Sequence, residues 1–488
     1  MERINSNDHK FLSQLSPLID DCEIYSFGIE HFSRRNSDGL MTLIIKDKNF
    51  QYGIIYNDFK VNGGSFGKEV CQRAIKFIEK LDQEKLPLIY LVNSIGVRLM
   101  EGRGVFNEAF KLIPSIERFK KNNMFITANL GKSLGLGALI LSQGHYRFSL
   151  SKNAEINLTG PEVIKLFFGK NIDFNKISSP EKHKKDSSII QEIYHSKEDL
   201  FLQIKNHLTF QKTKPKYSLN KQRVLKNIYK LKTPEERVKS LVMNISDSHK
   251  EVFTQLDQSV RTFLIHRNGK LMGVFINPPG HSNNLITIST IEKYSAALTY
   301  FGSIKVPIVS FLDTPGASPL NSTNQSKEVI NSIRDVSTQI INYKFGKMGF
   351  VIGRSYGGAT ILGLTKNFGA YSQYIIKGSH VGIMHKSIIE KLLDNSKRLF
   401  SMWKENQKLE KDDFSDLIEN GTIDGLIDYS QVANKLDQFE DYCFGNRVAA
   451  DFRPNKYLNS NIEIPAIKSG PLKILTKKQI DKTNKQIS

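Results

Sequence analysis

The chain is 488 residues long, with 39% hydrophobic and 24% charged residues, 33 glycines and 15 prolines. These proportions exclude a disordered or collagen-like chain. Basic residues outnumber acidic ones by 69 to 49, a formal charge of +20. The three cysteines, Cys22, Cys71 and Cys443, are too few and too widely spaced for a disulfide framework or a zinc ribbon, and no other metal set is expected.

Such a length predicts two domains of ~150–250 residues. The first 21 residues lack an apolar leader core, and no run reaches the ~18 apolar residues of a membrane helix. The expectation is a soluble, unprocessed, cytoplasmic protein without a membrane partner.

In chain order, residues 1–50 read as a lead-in. Gly63-Gly64-Ser65-Phe66-Gly67 is a glycine turn that opens a helix-period stretch from Lys68 to Leu81. From Pro87 a run of apolar and β-branched residues reads as a buried strand and ends in a polar turn closed by Gly96. A helix follows near Phe106–Lys121, then a strand from Met124 to Asn129, then the glycine element Gly131-Lys-Ser-Leu-Gly135.

Residues 51–170 thus form a first α/β domain. Residues 171–250, with breakers at Pro180, Pro215 and Pro234, form a basic helical linker. From Leu200 to Pro234 it carries Lys205, Lys212, Lys214, Lys216, Lys221, Arg223, Lys226, Lys230 and Lys232 without one acid. Aromatic interleaving and a helix-turn-helix are both missing, so a solvated surface or a surface for a phosphate-bearing substrate is expected, and nucleic acid is not.

The order of elements then repeats. A helix period spans Ile291–Tyr300, a strand starts at Pro307, and its turn is closed by Gly316, nine positions on as in the first half. A helix follows from Lys327 to Lys344, a strand from Met348 to Ile352, and the element Gly353-Arg-Ser-Tyr-Gly357-Gly-Ala. Gly96 to Gly131 is 35 positions and Gly316 to Gly353 is 37, so residues 251–430 form a second, duplicated domain. Residues 431–488 read as a helical tail of the kind that wraps a partner in a two-fold design.

Gly131-Lys-Ser-Leu-Gly135 and Gly353-Arg-Ser-Tyr-Gly357 both match the GxSxG nucleophile elbow of serine hydrolases. No acid lies between Ser355 and His385, the last histidine, so the triad order fails there. Ser133 has later acids and histidines, but a nucleophile would not stand in two equivalent repeats. Two readings of the repeated turns remain: backbone amides that bind a developing oxyanion, or close helix–strand packing. His380 and His385 lack a metal-ligand pattern and read as structural or solvent-facing.

Several motifs together resemble the carboxyltransferase (β) subunits of biotin-dependent acyl-CoA carboxylases, the propionyl-CoA and acetyl-CoA carboxylase β type, which are related to malonate decarboxylase subunits. Thr159-Gly160-Pro161-Glu-Val-Ile-Lys165 resembles that family's TGP-[DE]-VIK segment, and Gly63–Gly67 its GGS-x-G turn. Ser94-Ile-Gly96-Val-Arg98-Leu-Met-Glu-Gly102 is similar to SGGAR-x-x-EG, Asp313-Thr-Pro-Gly316 to D-[VT]-PG, and Tyr356-Gly-Gly-Ala359 to AYGGA. The likeness runs from about Leu15 to Asp428.

The resemblance implies an α/β fold of two crotonase-like ββα superhelical domains from an internal duplication. It implies carboxyl transfer between carboxybiotin on a carrier protein and the α-carbon of a short acyl-CoA. The amides of Gly135 and Leu136 would hold the thioester enolate oxygen, and those of Gly358 and Ala359 the biotin ureido oxygen. Gly63, Gly64, Ser65, Gly96, Arg98, Gly160, Pro161, Gly316, Gly357 and Ile361 would contact substrate, with apolar Ile361 suiting a short acyl chain.

Biotin carboxylase and biotin carrier protein are the implied partners. A homo-oligomer, dimer or hexamer, would have its active sites where the first half of one subunit meets the second half of another. The zinc ribbon of the bacterial two-subunit acetyl-CoA carboxylase is missing, which points to the single-chain type. Leu136, Ile95, Lys132 and Thr360 depart from the family pattern. The alternatives are a biotin-independent malonyl-thioester decarboxylase that works on a carrier-bound substrate, and a scaffold of the same fold with impaired turnover.

Overall fold

The computed structural model describes residues 2–4, 12–27, 38–48, 50–168, 173–212, 227–282, 284–319, 322–393, 397–409 and 414–445. The strands are β1 (Glu2–Ile4), β2 (Glu23–Ser26), β3 (Leu40–Lys46), β4 (Gln51–Asn57), β5 (Leu88–Ser94), β6 (Phe125–Leu134), β7 (Tyr146–Leu150), β8 (Glu155–Asn157) and β9 (Glu192–Tyr194) in the first half. The second half has β10 (Ser248–Val252), β11 (Arg261–Arg267), β12 (Lys270–Ile276), β13 (Ile308–Thr314), β14 (Lys347–Tyr356), β15 (Ser372–Ile376), β16 (His380–Gly382) and β17 (Gly425–Ile427). The helices are α1 (Lys68–Glu84), α2 (Phe106–Lys120), α3 (Leu136–Ser142), α4 (Pro161–Phe168), α5 (Asn175–Ser178), α6 (Pro180–Asp186), α7 (Lys197–Lys212), α8 (Pro234–Ile245), α9 (Ile288–Ser303), α10 (Thr323–Ile341), α11 (Lys386–Leu393), α12 (Lys397–Leu409), α13 (Ser415–Glu419) and α14 (Val432–Phe444).

Each half carries one sheet, and the two sheets are built alike. The first runs β1-β2-β3-β4-β5-β6-β7-β9 with β8 beside β6, and the second runs β10-β11-β12-β13-β14-β15-β17 with β16 beside β14. In each, strands pair antiparallel up to the hairpin β3–β4 or β11–β12 and parallel beyond it. The parallel strands are buried almost throughout, which is why their sequences are continuous apolar runs rather than alternating ones.

Helix α1 turns Val70, Ala74, Phe77 and Leu81 onto the first sheet, a spacing of three and four residues that lines one helical face. Helix α9 does the same on the second sheet with Ile291, Tyr294, Ala297, Leu298 and Phe301, and starts from a reciprocal Thr287–Thr290 capping box. A break in register falls between Val92 and Ser94 in one half and between Leu312 and Thr314 in the other. The duplication therefore extends to irregularities.

The first sheet reaches beyond residues 51–170 on both sides. The lead-in supplies β1, β2 and β3, and the linker supplies β9, which pairs with β7. The linker also joins the halves: Gln255 bonds the backbone N–H and carbonyl of Ile193, and Tyr146 donates to Glu192 at 2.6 Å while it accepts the Phe253 N–H at 2.8 Å.

Of the expected lysine run, Lys214, Lys216, Lys221, Arg223 and Lys226 lie outside the described residues. Helix α14 packs on its own chain, where the buried Arg267 guanidinium meets Asp437 and Glu440 at 2.5 and 2.6 Å. The rest of the expected tail, from residue 446, lies outside the described residues. Among the described residues no helix is long and apolar enough to cross a membrane.

Candidate active site at two duplicated strand ends

Strands β6 and β14 run straight through the GxSxG patterns and end at Leu134 and Tyr356. The serines therefore lie inside strands, Ser133 beside Ser94 and Ser355 beside Thr314, and the bend comes two residues later. Ser133 is buried and donates to Asn129 Oδ1 at 2.9 Å, and Ser355 is buried and donates to Thr360 Oγ1 at 3.1 Å. Among the described residues no histidine pairs with either, so the triad geometry of a serine hydrolase is not formed there.

The glycines of the pattern have separate causes. A Cβ on Gly131 would fall 2.6 Å from Asn93 Oδ1, and one on Gly353 2.6 Å from Asp313 Cγ, so a side chain from the neighbouring strand crosses each. Gly135 and Gly357 turn the chain with φ of 53° and 58°, a region that glycine enters without strain. Leu136, which opens α3, lies outside that region, and its side chain sits in the first-half core at 8% exposure. The leucine therefore does not strain the bend.

The neighbouring strand end meets each bend. Gly96 and Gly316 have φ of 104° and 117°, and their N–H groups donate to Ser94 Oγ and Thr314 Oγ1 at 3.1 and 3.2 Å. A Cβ on Gly96 would lie 3.7 Å from Gly135 Cα, and one on Gly316 3.7 Å from the Tyr356 carbonyl oxygen. Among the described residues the N–H groups of Val97, Leu136 and Gly137 have no acceptor, nor do those of Ala317, Gly358 and Ala359. Each half thus brings unpaired amides from two loops to one strand end, the arrangement that an oxyanion site needs.

Five of the expected site residues have structural partners of their own. The Gly135 N–H donates to the Asn157 carbonyl at 3.0 Å, so this amide is taken by the β8 strand and is not free as a hole donor. Arg98, which the resemblance implied would contact substrate, has its Nε and Nη atoms bonded to Ser65 Oγ, the Ser65 and Asp38 carbonyls and Glu101. Ser65 is buried as its partner, so the pair staples the Gly63–Gly67 turn to the loop after β5. Gly63 and Gly64, both at positive φ, serve the same contact: a Cβ on Gly64 would overlap the Asn93 carbonyl oxygen at 2.0 Å.

Gly160 and Pro161 stand at the start of α4, and Ile361 lines a second-half pocket with Thr360, Val351 and Phe368. His380 is exposed, and His385 is exposed with its ring edge-on to Tyr356 at 5.9 Å. Among the expected residues the structure therefore groups Gly96 with Gly135 and Leu136, and Gly316 with Gly357, Gly358 and Ala359.

Sequence reasoning missed the amides of Val97 and Ala317 and the anchors Asn93 and Asp313. Asn93 Oδ1 accepts the Lys132 N–H at 3.0 Å. Asp313, 1% exposed, accepts the Arg354 N–H and Nε at 2.8 Å and the Gly280 N–H at 2.5 Å. The signal was present in the repeat itself: a polar residue three before the closing glycine, and a residue one after it.

The fold is that of an α/β chain with two sheets built alike, and each sheet has unpaired amides at one strand end. The family profile for the carboxyl transferase domain matches residues 51–436, and the chain belongs to that family. It is 22% identical over 379 residues to the propionyl-CoA carboxylase carboxyltransferase subunit of Haloferax mediterranei, which covers 74% of this chain and 72% of the relative. It is 20% identical over 348 residues to the methylmalonyl-CoA decarboxylase subunit alpha of Veillonella parvula, covering 67% of each. Among solved structures, the transcarboxylase 12S hexamer with methylmalonyl-coenzyme A bound superposes with a TM-score of 0.76 at 18% identity over 88% of both chains. The fold is accordingly two crotonase-like domains from an internal duplication.

Proposed function

We propose that this chain moves a carboxyl group between carboxybiotin on a carrier protein and the α-carbon of a short acyl-CoA. The observation that carries the reading is the pair of strand ends with unpaired amides, Val97 with Leu136 and Ala317 with Gly358 and Ala359. At the first strand end the amides of Val97 and Leu136 hold the thioester oxygen as negative charge develops on it. Each such donor is typically worth ~3 kcal/mol of barrier.

At the second strand end the Gly358 and Ala359 amides face a ureido oxygen. A Cβ on Gly358 would meet nothing within 4 Å, so there is room for a ligand against this exposed turn. Biotin, when bound in its carboxylated form, supplies carbon dioxide and a nitrogen base for the α-proton. The chain's own residues orient and stabilise, and no side-chain base is required of it.

Leu166 and Phe167 on α4, each 83% exposed, and Ile388 and Leu392 on α11, 51% and 65% exposed, support a homo-oligomer that covers these faces. In it the first half of one copy would face the second half of another. A cytoplasmic site of action, with biotin carboxylase and biotin carrier protein as partners, completes the reading.

A second reading, decarboxylation of a malonyl-type thioester without biotin, uses the same amides, and the likeness to a decarboxylase subunit favours it. The separating assay is decarboxylation of malonyl-CoA with free biotin added or omitted. Turnover that depends on biotin is the expected result, turnover without it supports the decarboxylase, and none with any thioester leaves a scaffold that has lost the reaction.

A further inference from the structure

The duplication lets the mouths of the two turns be compared position by position. Strand β8 pairs with β6 through Lys132–Glu155, Ser133–Ile156 and Leu134–Asn157, and β16 pairs with β14 through Arg354–His380, Ser355–Val381 and Tyr356–Gly382. Glu155 therefore corresponds to His380, Gly160 to His385 and Pro161 to Lys386, and helices α4 and α11 begin at matching residues, Pro161 and Lys386.

Across this stretch the first half reads Glu-Ile-Asn-Leu-Thr-Gly-Pro-Glu and the second His-Val-Gly-Ile-Met-His-Lys-Ser. Two carboxylates are lost, and a lysine and two histidines are gained. In the first half Lys132 is neutralised by Glu155 at 3.2 Å. In the second the place of that acid is taken by His380, and Arg354 finds its carboxylate on β13 instead, at Asp313.

The geometry puts the loop that carries His385 and Lys386 at the turn. A Cβ on Gly357 would lie 3.1 Å from the Ile383 carbonyl oxygen, so the loop that leads to His385 lies against the bend. The His385 ring stands edge-on to Tyr356, the residue before Gly357, with an interplanar angle of 89°. The Ser387 N–H donates to His385 Nδ1 at 3.3 Å. Nδ1 also meets Ser387 Oγ at 2.8 Å, so Nε2 is the ring nitrogen that has no partner among the described residues.

We propose that His385 and Lys386 make the second turn selective for a ligand that bears a carboxylate, whereas the first turn, with Gly160 and Pro161 in their places, takes the uncharged thioester end. The inference rests on reading the unpaired Gly358 and Ala359 amides as a binding site. It adds a ring N–H donor and an ammonium group in the loop beside them, and the ammonium recognises a negative group by a charge-assisted hydrogen bond.

The test measures binding of malonate, with neutral malonamide as the control, by nuclear magnetic resonance on the full chain, and follows the His385 ring signals. Wild type is expected to prefer malonate, with the His385 signals moving on titration. The double substitution His385→Gly and Lys386→Pro, which restores residues that the first half already accommodates, is expected to weaken malonate binding about tenfold and leave malonamide unchanged. His385→Leu, which keeps bulk and removes the donor, is expected to give part of that loss.

Equal affinity for the two ligands, absent malonate binding, or a preference that survives the double substitution overturns the proposal. Because no turnover is measured, a failure here is separate from a failure of the carboxyltransferase reading, which the biotin-dependent assay decides.

Discussion

The first strand-end turn passes from β6 into an α-helix that opens on a buried leucine, and the second passes from β14 into a 3-10 turn of two exposed glycines. Behind them the frames agree in the register break, the positive φ at Gly135 and Gly357, and the polar side chain laid across Gly131 and Gly353. The side chains at the mouths do not agree: Glu155 against His380, Gly160 against His385, Asn93 against Asp313. The difference teaches that the backbone arrangement is common to both halves, while the surrounding side chains set what each half receives. Thr360 belongs to the second set, since its hydroxyl donates to the Gly357 carbonyl at 2.8 Å and braces only that turn.

The comparison breaks most sharply at Gly358. Its Cβ position is empty and its φ is not positive, so Gly358→Val should leave the unfolding midpoint unchanged. The branched side chain would fill the space in front of the amides, and kcat should fall about 100-fold or more, the scale of losing an oxyanion donor. Steady-state malonyl-CoA decarboxylation beside a thermal melt checks both halves of the statement, and unchanged turnover would remove the second turn from the mechanism.

The anchors come next. Asp313→Ala takes the acceptor from two backbone N–H groups and leaves the Arg354 guanidinium without its carboxylate, a loss of about 3 kcal/mol. Asn93→Ala removes one accepted Lys132 N–H and should cost about 1 kcal/mol. Urea titration of the two variants measures the difference, and equal losses would mean that the carboxylate carries no more weight than the amide.

Much of this was legible before any coordinates. The buried runs from Leu88 and Ile308, the helices α1 and α9 and the matched glycines follow from periodicity and spacing, because parallel strands and their covering helices must be apolar on fixed faces. The short strands β8, β9 and β16 were not, since three residues carry no period and owe their conformation to a neighbour. Gly135 read as a donor because a glycine at a bend exposes its amide; only the placement of Asn157 opposite it shows that the amide is taken. Arg98 read equally as a phosphate ligand or as half of a surface ion pair; its ion pair is with Glu101, and its other partners, Asp38 and Ser65, lie 60 and 33 residues away, beyond what spacing can show.

The halves should also differ in acid. In the first, His145 accepts the Phe125 N–H at 3.0 Å, and burial, helped by Lys120 and Arg147, pushes its pKa down from 6.5 to about 3. The folded chain thus holds this ring neutral while the unfolded chain takes up a proton below about 6.5. Stability is fully present above that value and is lost as pH falls toward 3, by about 2 kcal/mol at pH 5 from this group. The matching position in the second half is Tyr371, which donates its backbone N–H to Lys347 and brings no such base. Hydrogen exchange at pH 5 and pH 7 should show β6 and β7 opening more readily in acid while β14 and β15 change little.

The smallest effect is expected where the motif was loudest. Ser133→Ala and Ser355→Ala should each leave kcat within about threefold, whereas loss of a true nucleophile costs on the order of 10⁶-fold. Ser133 gives its proton to Asn129 inside the strand, so its removal costs about 1 kcal/mol of stability and nothing at the turn. Ser355 gives its proton to Thr360, which in turn holds the Gly357 carbonyl, so its removal slackens the second turn alone. A kcat loss in Ser355→Ala larger than in Ser133→Ala, with both still active, is therefore the pattern that separates a bracing hydroxyl from a nucleophile. Abolished turnover in either variant would return the hydrolase reading.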